Sequence, residues 1–462
     1  MIPILTPEQV GAVDAAAPEP VEELIARAGS AVAREAISML GGSYGRVVNV
    51  LAGPGNNGAD GRTAADILAR RGVKVRVIDA ATRPPVLPAC DLVIDAAYGT
   101  GFRGEWIAPQ VVSASAEPVM VLAVDIPSGV DASTGSASAG VLRADRTVTF
   151  QALKPGLVFG RGRSLSGEVV VADIGLDVSG ADRYLVEARD VAAWWPERAA
   201  DAHKWKAAVR IVAGSPGMLG AARLCAAAAA RSGAGLVALS SPGCEPRARD
   251  EIIQRPVPVE GFAEGVLDDL DRFGSLVMGP GLGRDESTVD GVRRLIADAM
   301  VPIVIDGDGI FAAAWSADGA GPLVRSRGLP TIVTPHDGEF ALLAGSAPGA
   351  DRVEAARSLA ADLDCTVLLK GPTTVVAGRD GPTLVVDHGD ERLATAGSGD
   401  VLAGMVGSLL AAGVPAERAA AAAAWLHADA ARRGRRRGLL AGDLIGLLPD
   451  ALAALRRSRC ER

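Results

Sequence analysis

The sequence is poor in what several functional classes require. Aromatic residues fill only 3% of 462 positions, too few for the base-stacking platforms of single-strand nucleic-acid binders. Five cysteines (Cys90, Cys225, Cys244, Cys365, Cys460) lie scattered, with no Cys-x-x-Cys pair. Neither a zinc site nor a disulfide framework is implied, and a reducing cytoplasm fits. Positive charge is not in excess, and a net charge of −8 argues against nucleic acid as a bulk partner. No charge-free apolar run reaches membrane-spanning length, and the alanine stretch at 419–424 soon meets His427 and Asp429. The first residues, Met1 to Glu8, lack the basic and apolar regions of a signal peptide, so a soluble cytoplasmic protein is expected. The one basic run, Arg432 to Arg437, reads as a solvated helix end where cations complement the dipole.

What remains is an ordinary globular balance, 49% hydrophobic and 22% charged, in a chain long enough for two or three domains. Helical spacing runs through Val21, Leu24, Ile25, Ala28, Val32, Ile37 and Leu40. Apolar runs at 46–52, 74–79, 91–95 and 119–125 read as strands, with a helix through Ala64, Ala65, Ile67 and Leu68. This alternation predicts a mainly parallel sheet covered on both faces. Three of the strands end in glycine-rich loops bearing Asn56, Asn57 and Asp60, then Asp95 and Thr100, then Asp125 and Ser128. Ligands of open α/β sheets bind at strand carboxyl ends, so the three loops could line one pocket. Oxygens of Asn57, Asp95 and Ser128 would suit a hard cation; ordinary caps and turns are the alternative.

The pattern weakens between 174 and 203, which places a boundary near 197. A second alternating segment follows, with strands at 209–213, 274–278, 302–306, 331–334 and 366–370. Gly397, Ser398 and Gly399 form a permissive turn before an apolar helical pattern that begins at Val401. Backbone N–H groups at such a helix start favour anions. A carboxylate there, Asp400, would repel phosphate unless it takes a proton as phosphate arrives. The alternative is a plain Ser/Asp cap. His336, between Pro335 and Asp337, is placed at a strand end to meet ligand, as is Lys370 before Gly371.

The trio Gly53-Pro-Gly-Asn-Asn-Gly-Ala-Asp-Gly61, Asp95 with Gly99-Thr-Gly-Phe102, and Asp125-Ile-Pro-Ser-Gly-Val-Asp131 resembles the NAD(P)H-hydrate epimerase domain over roughly residues 6–195. The resemblance implies a Rossmann-like, doubly wound fold. It implies that Asn56, Asn57, Gly58, Ala59 and Asp60, together with Gly99, Thr100, Gly101, Phe102, Arg103, Gly104 and Glu105, hold the hydrated nucleotide. Asp125 would sit on the reacting ring, and Asn57, Asp95 and Ser128 would hold potassium. Ala59 departs from the family, which usually has a second glycine there.

Residues 203–447 carry His203-Lys204, Gly279-Pro-Gly-Leu-Gly283, Thr334-Pro-His-Asp-Gly-Glu339, Leu369-Lys-Gly371 and Gly397-Ser-Gly-Asp400. This set resembles the ADP/ATP-dependent NAD(P)H-hydrate dehydratase domain, a ribokinase-like α/β fold. The resemblance implies Ala221, Gly281 and His336 on the hydrate. It implies Lys370, Gly371, Pro372, Thr373, Thr374 and Gly399 on ADP (ATP in some relatives), with magnesium accompanying the nucleotide. Asp400 would meet the substrate hydroxyl. Trp205-Lys206 departs from the family, where a glycine usually follows. The expected organisation is an epimerase domain at 1–196 and a dehydratase domain at 197–462, acting on NADHX and NADPHX as a homo-oligomer. Two alternatives stay open: a vitamin kinase, which would share Gly397–Asp400, and a non-catalytic N-terminal binding module.

Overall fold

Short apolar runs form the strands, and central ones such as Val47–Ala52 and Leu92–Ala96 are buried on both faces of a parallel sheet. The computed structural model describes residues 1–460, with side chains to 457. After a two-residue strand β1 (Ile2–Pro3) come β2 (Val47–Ala52), β3 (Lys74–Asp79), β4 (Leu92–Ala96), β5 (Met120–Val124), β6 (Arg146–Phe150) and β7 (Glu168–Ala172). The last six form one sheet in the order β3-β2-β4-β5-β6-β7, parallel throughout. The chain runs outward from β2 to β3 and then returns to β4, so the switch point lies between β2 and β4. That is where an open α/β sheet opens a crevice for ligand. Strands β6 and β7 were not expected from the sequence.

The segment read as a loop, Gly53 to Gly61, is largely helix: Asn56–Arg70 begins directly after Gly55. Its glycines serve close packing, since a Cβ on Gly58 would sit 1.9 Å from the Gly53 carbonyl oxygen. Ala59 lies inside this helix, its N–H bonded to Gly55 at 3.1 Å, so the extra methyl meets an ordinary helical backbone. The helix Val21–Leu40 buries Ala28, Ala31, Val32, Ala36 and Leu40.

The second unit holds β8 (Arg183–Leu185), β9 (Ala208–Val212), β10 (Leu236–Ser240), β11 (Ile252–Gln254), β12 (Ser275–Met278), β13 (Ile303–Ile305), β14 (Thr331–Val333), β15 (Thr366–Leu369), β16 (Thr374–Ala377) and β17 (Thr383–Val386). Their order is β8-β17-β16-β15-β14-β13-β12-β9-β10-β11. Only β16 runs antiparallel to its two neighbours. Helices Leu219–Arg231 and Ser398–Ala411 cross at backbone contact, since a Cβ on Gly404 would lie 2.1 Å from the Cys225 carbonyl oxygen. The latter helix starts at Ser398, inside the turn rather than after it.

The two compact units part between Asp182 and Arg183, not near 197. The reason is packing: β8 pairs with β17, and Val186, Val191 and Ala192 are buried in the larger unit's core. Among the described residues no helix is long and apolar enough to cross a membrane.

Candidate active sites

At the switch point of the smaller unit lies a cavity of about 640 Å³, lined by the Asn56–Arg70 helix start, by Tyr98–Phe102, and by Asp14, Asp125 and Lys154. Asn56, Asn57 and Asp60 face it, as do Gly99, Thr100, Gly101 and Phe102; Gly58, Ala59, Arg103, Gly104 and Glu105 do not line it. The unpaired first N–H groups of the helix also open here, a backbone anion site alongside the amide side chains.

Asp125 follows β5 with φ of 65°, a left-handed conformation that few non-glycine residues adopt. Its Oδ1 accepts from Lys154 Nζ at 2.5 Å and from Thr149 Oγ1 at 3.0 Å. Lys154 is only 1% exposed and also donates to Thr149 and to the Phe150 carbonyl. Asp60, also buried, is pushed up to about 8 by desolvation, then by the charges of Asp125 and Asp14. Asp60 thus favours its protonated form in the cavity where Asp125 is ion-paired with Lys154, an arrangement suited to paired acid and base work.

Behind the cavity wall, Asp95 accepts from Ser128 Oγ at 2.6 Å and from Ser128 N at 2.9 Å. Ser128 Oγ in turn accepts from Tyr98 N at 2.9 Å. Burial raises the Asp95 pKa, opposed by these hydrogen bonds. The Asn57 carboxamide is buried with neither oxygen nor nitrogen bonded, and it lies against Gly99, where a Cβ would be 3.3 Å from its Cγ. An orphaned amide oxygen, a desolvated carboxylate and a hydroxyl gathered around Tyr98–Gly99 fit a cation with oxygen ligands.

In the larger unit the loops after β12 and β13, the end of β15 and the Ser398 helix start converge. Lys370 Nζ donates to Asp306 Oδ1 at 2.9 Å and lies 3.5 Å from Glu339. Burial favours its neutral form, but Asp306 and Glu339 outweigh that and raise its pKa. A Cβ on Gly399 would be 3.4 Å from this ammonium, so Lys370 sits against the helix start. Asp400, in the first turn, is pushed up to about 7 by burial and the Asp306 charge, with Lys370 opposing. Behind the turn, burial pushes neutral His427 down to about 4, against a hydrogen bond to the Ser398 backbone.

The other expected residues divide. Ala221 and Gly281 touch: a Cβ on Gly281 would be 2.9 Å from that of Ala221. His336 caps the helix Asp337–Ala344, its Nδ1 accepting from Gly338 N at 3.0 Å, while the side chain stays 61% exposed. Gly371 lies beside Arg352, Pro372 follows it, and Thr373 Oγ1 bonds Asp387 at 3.3 Å, with Thr374 opening β16. His203-Lys204 precedes the amino end of β9 and therefore lies away from this face.

A bifunctional NAD(P)H-hydrate repair enzyme from Mycobacterium tuberculosis is 40% identical, covering 84% of each chain. The chain belongs to the bifunctional NAD(P)H-hydrate repair enzyme family. A relative of that name in Salinibacter ruber is 35% identical and covers 98% of this chain and 96% of its own. The NAD(P)H-hydrate dehydratase family model matches residues 209–449, and the model for the YjeF-related protein N-terminus matches 21–90 and 78–156. A ribokinase-like superfamily protein from Enterococcus faecalis aligns with a TM-score of 0.52 over 59% of this chain and 96% of that one. At 20% identity that likeness bears on the fold alone.

For a repair enzyme of this family, sequence reasoning overlooked Lys154 and gave no role to Asp306 or Glu339, though both stood in segments it singled out. Asp306 and Lys154 each end or follow a strand, the one signal that could have marked them.

Proposed function

We propose that the smaller unit epimerises NAD(P)H hydrates at C6 and that the larger unit dehydrates the S epimer at the expense of ADP, or of ATP. The carrying observation is the pair of sites, each with a carboxyl poised by burial at a helix start.

C6 of the hydrate is a hemiaminal carbon, bonded to a hydroxyl and to ring N1. Asp125, ion-paired with Lys154, takes the hydroxyl proton; the C6–N1 bond breaks; neutral Asp60 gives a proton to N1. The open aldehyde rotates, and closure on its other face returns both protons. Asn57, Asp95 and Ser128 would hold a potassium ion, whose charge offsets that of Asp95 and ties three loops together.

In the larger unit Asp400 accepts the C6 hydroxyl proton while that oxygen attacks the terminal phosphoryl group, breaking its phosphoanhydride bond and releasing AMP from ADP, or ADP from ATP. Lys370 and the N–H groups at 398–400 stabilise the transferring charge. The N1 electron pair then expels phosphate, and loss of a C5 proton restores the dihydronicotinamide ring. Magnesium arriving with the nucleotide would offset phosphate charge, and Asp306 and Glu339 beside Lys370 would offer it oxygens. Scattered cysteines support a cytoplasmic setting.

The test is incubation with chemically prepared NADHX plus each nucleotide, following the reduced-nicotinamide absorbance. Recovery that needs ADP or ATP supports the reading, and a stable phosphorylated product instead would make the larger unit a kinase.

A further inference from the structure

Catalysis leaves a large cavity in the larger unit unexplained. It encloses about 650 Å³ where the connector from Trp195 to Ala207 meets the amino ends of β9 and β10, opposite the catalytic loops. Its floor is apolar, with Trp195, Ala230, Ala412, Leu452 and Leu455. Its wall carries Arg198, Lys204, Arg231 and Arg456, none of them ion-paired among the described residues, against one lining carboxylate, Glu197. Lys206 is committed to Asp201 at 3.1 Å.

Part of that positive charge has a plain use. Helices Leu219–Arg231 and Ser398–Ala411 both end here, and each carboxyl end carries roughly half a negative charge. Setting both helix ends and Glu197 against four cations still leaves an excess of about two positive charges. The dipoles also do not account for Ser232, which lines the cavity at 2% exposure with its Oγ bonded to nothing. A buried hydroxyl without a partner costs free energy that a ligand oxygen would recover. The volume lies in the range of small-molecule sites.

We propose that this cavity binds a phosphate monoester on an aromatic body, a dianion of nucleotide size. Phosphate meets the arginines and Ser232, and the ring lies on the apolar floor beside Trp195. The occupant touches the far ends of the two helices whose near ends carry Ala221 and the Gly397–Asp400 turn.

The probe is 1-naphthyl phosphate, titrated calorimetrically into the full chain, with 1-naphthol and inorganic phosphate as the separate halves. The aromatic ester is expected to bind at least about tenfold tighter than either half. Arg231→Glu with Arg456→Glu, both exposed, should weaken it by about tenfold or more, while the lost helix-end cation lowers Tm by no more than a few degrees and leaves the chain folded. Ala412→Trp, which fills the floor without altering charge, should do the same, while Lys370→Ala should leave binding unchanged. Absence of saturable binding, or binding that follows Lys370 and ignores the cavity variants, overturns the proposal.

Discussion

Two carboxyls decide the chemistry, and both are raised by burial. Asp60 has a folded-state pKa of about 8, far above an unfolded aspartate, so the folded protein prefers it protonated. The stability this contributes is present below about pH 4 and is lost as pH rises through 8. Asp60→Asn keeps the shape and removes the ionisation. It is expected to raise Tm by several degrees at pH 9, to leave it nearly unchanged at pH 4, and to slow epimerisation by about 10²–10⁴-fold. Wild-type epimerisation should fall above pH 8 as the acid loses its proton. Chromatographic separation of R and S hydrates reads the rate, and a wild-type rate in the variant would remove Asp60 from the reaction. Asp400 follows the same sign with the opposite role. As a base it works ionised, so dehydration should climb with pH towards 7 and level off. Asp400→Asn should cost about 10²–10⁴-fold in turnover while nucleotide affinity survives, because the backbone donors are untouched. Near-normal turnover by that variant would refute the assignment.

At the scale of elements, the strand-ending loops were legible and their local conformation was not. Runs such as Val47–Ala52 and Leu92–Ala96 stand out because both faces are buried and glycine stops them. Gly, Asn and Asp at 53–61 are poor helix formers, which made the segment read as loop; close packing of Gly58 on Gly53 overrides that propensity. Lys154 was invisible for a related reason, since its burial depends on Thr149 and Asp125 arriving from separate strands. The three loops around Asp95 give this scale its prediction. If a potassium ion holds them, Asp95→Ala should abolish potassium dependence of epimerisation and leave dehydration intact. If Asp95 only fixes Ser128, the variant should lose about 1–3 kcal/mol of stability with its salt response unchanged. Titrating the rate with potassium, with choline keeping ionic strength constant, separates the two. A flat wild-type curve would end the cation reading.

For the whole molecule, the boundary is the point on which packing overrules pattern. Three-residue β8 has too short a run to show a period, so the weakened stretch after 174 reads as one linker. Yet Val186 and Val191 are 3% and 0% exposed in the larger unit's core, and Val186 N bonds the Val385 carbonyl at 2.9 Å. Burying a valine stabilises by roughly 1.5–3 kcal/mol, so a cut at 196 strips several kcal/mol from a unit whose total stability is about 5–15 kcal/mol. At about 2–4 °C per kcal/mol for a unit of this size, residues 197–462 should melt about 10 °C below residues 183–462. Residues 1–182 keep their own parallel sheet and should interconvert R and S hydrates without nucleotide. Residues 183–462 should consume only S and stall on an equal mixture of the epimers at half conversion until the smaller fragment is added. Calorimetric melts of the two larger fragments and progress curves on mixed epimers read both claims. Equal melting temperatures would return the boundary to 197, and full conversion by residues 183–462 alone would undo the division of labour between the units.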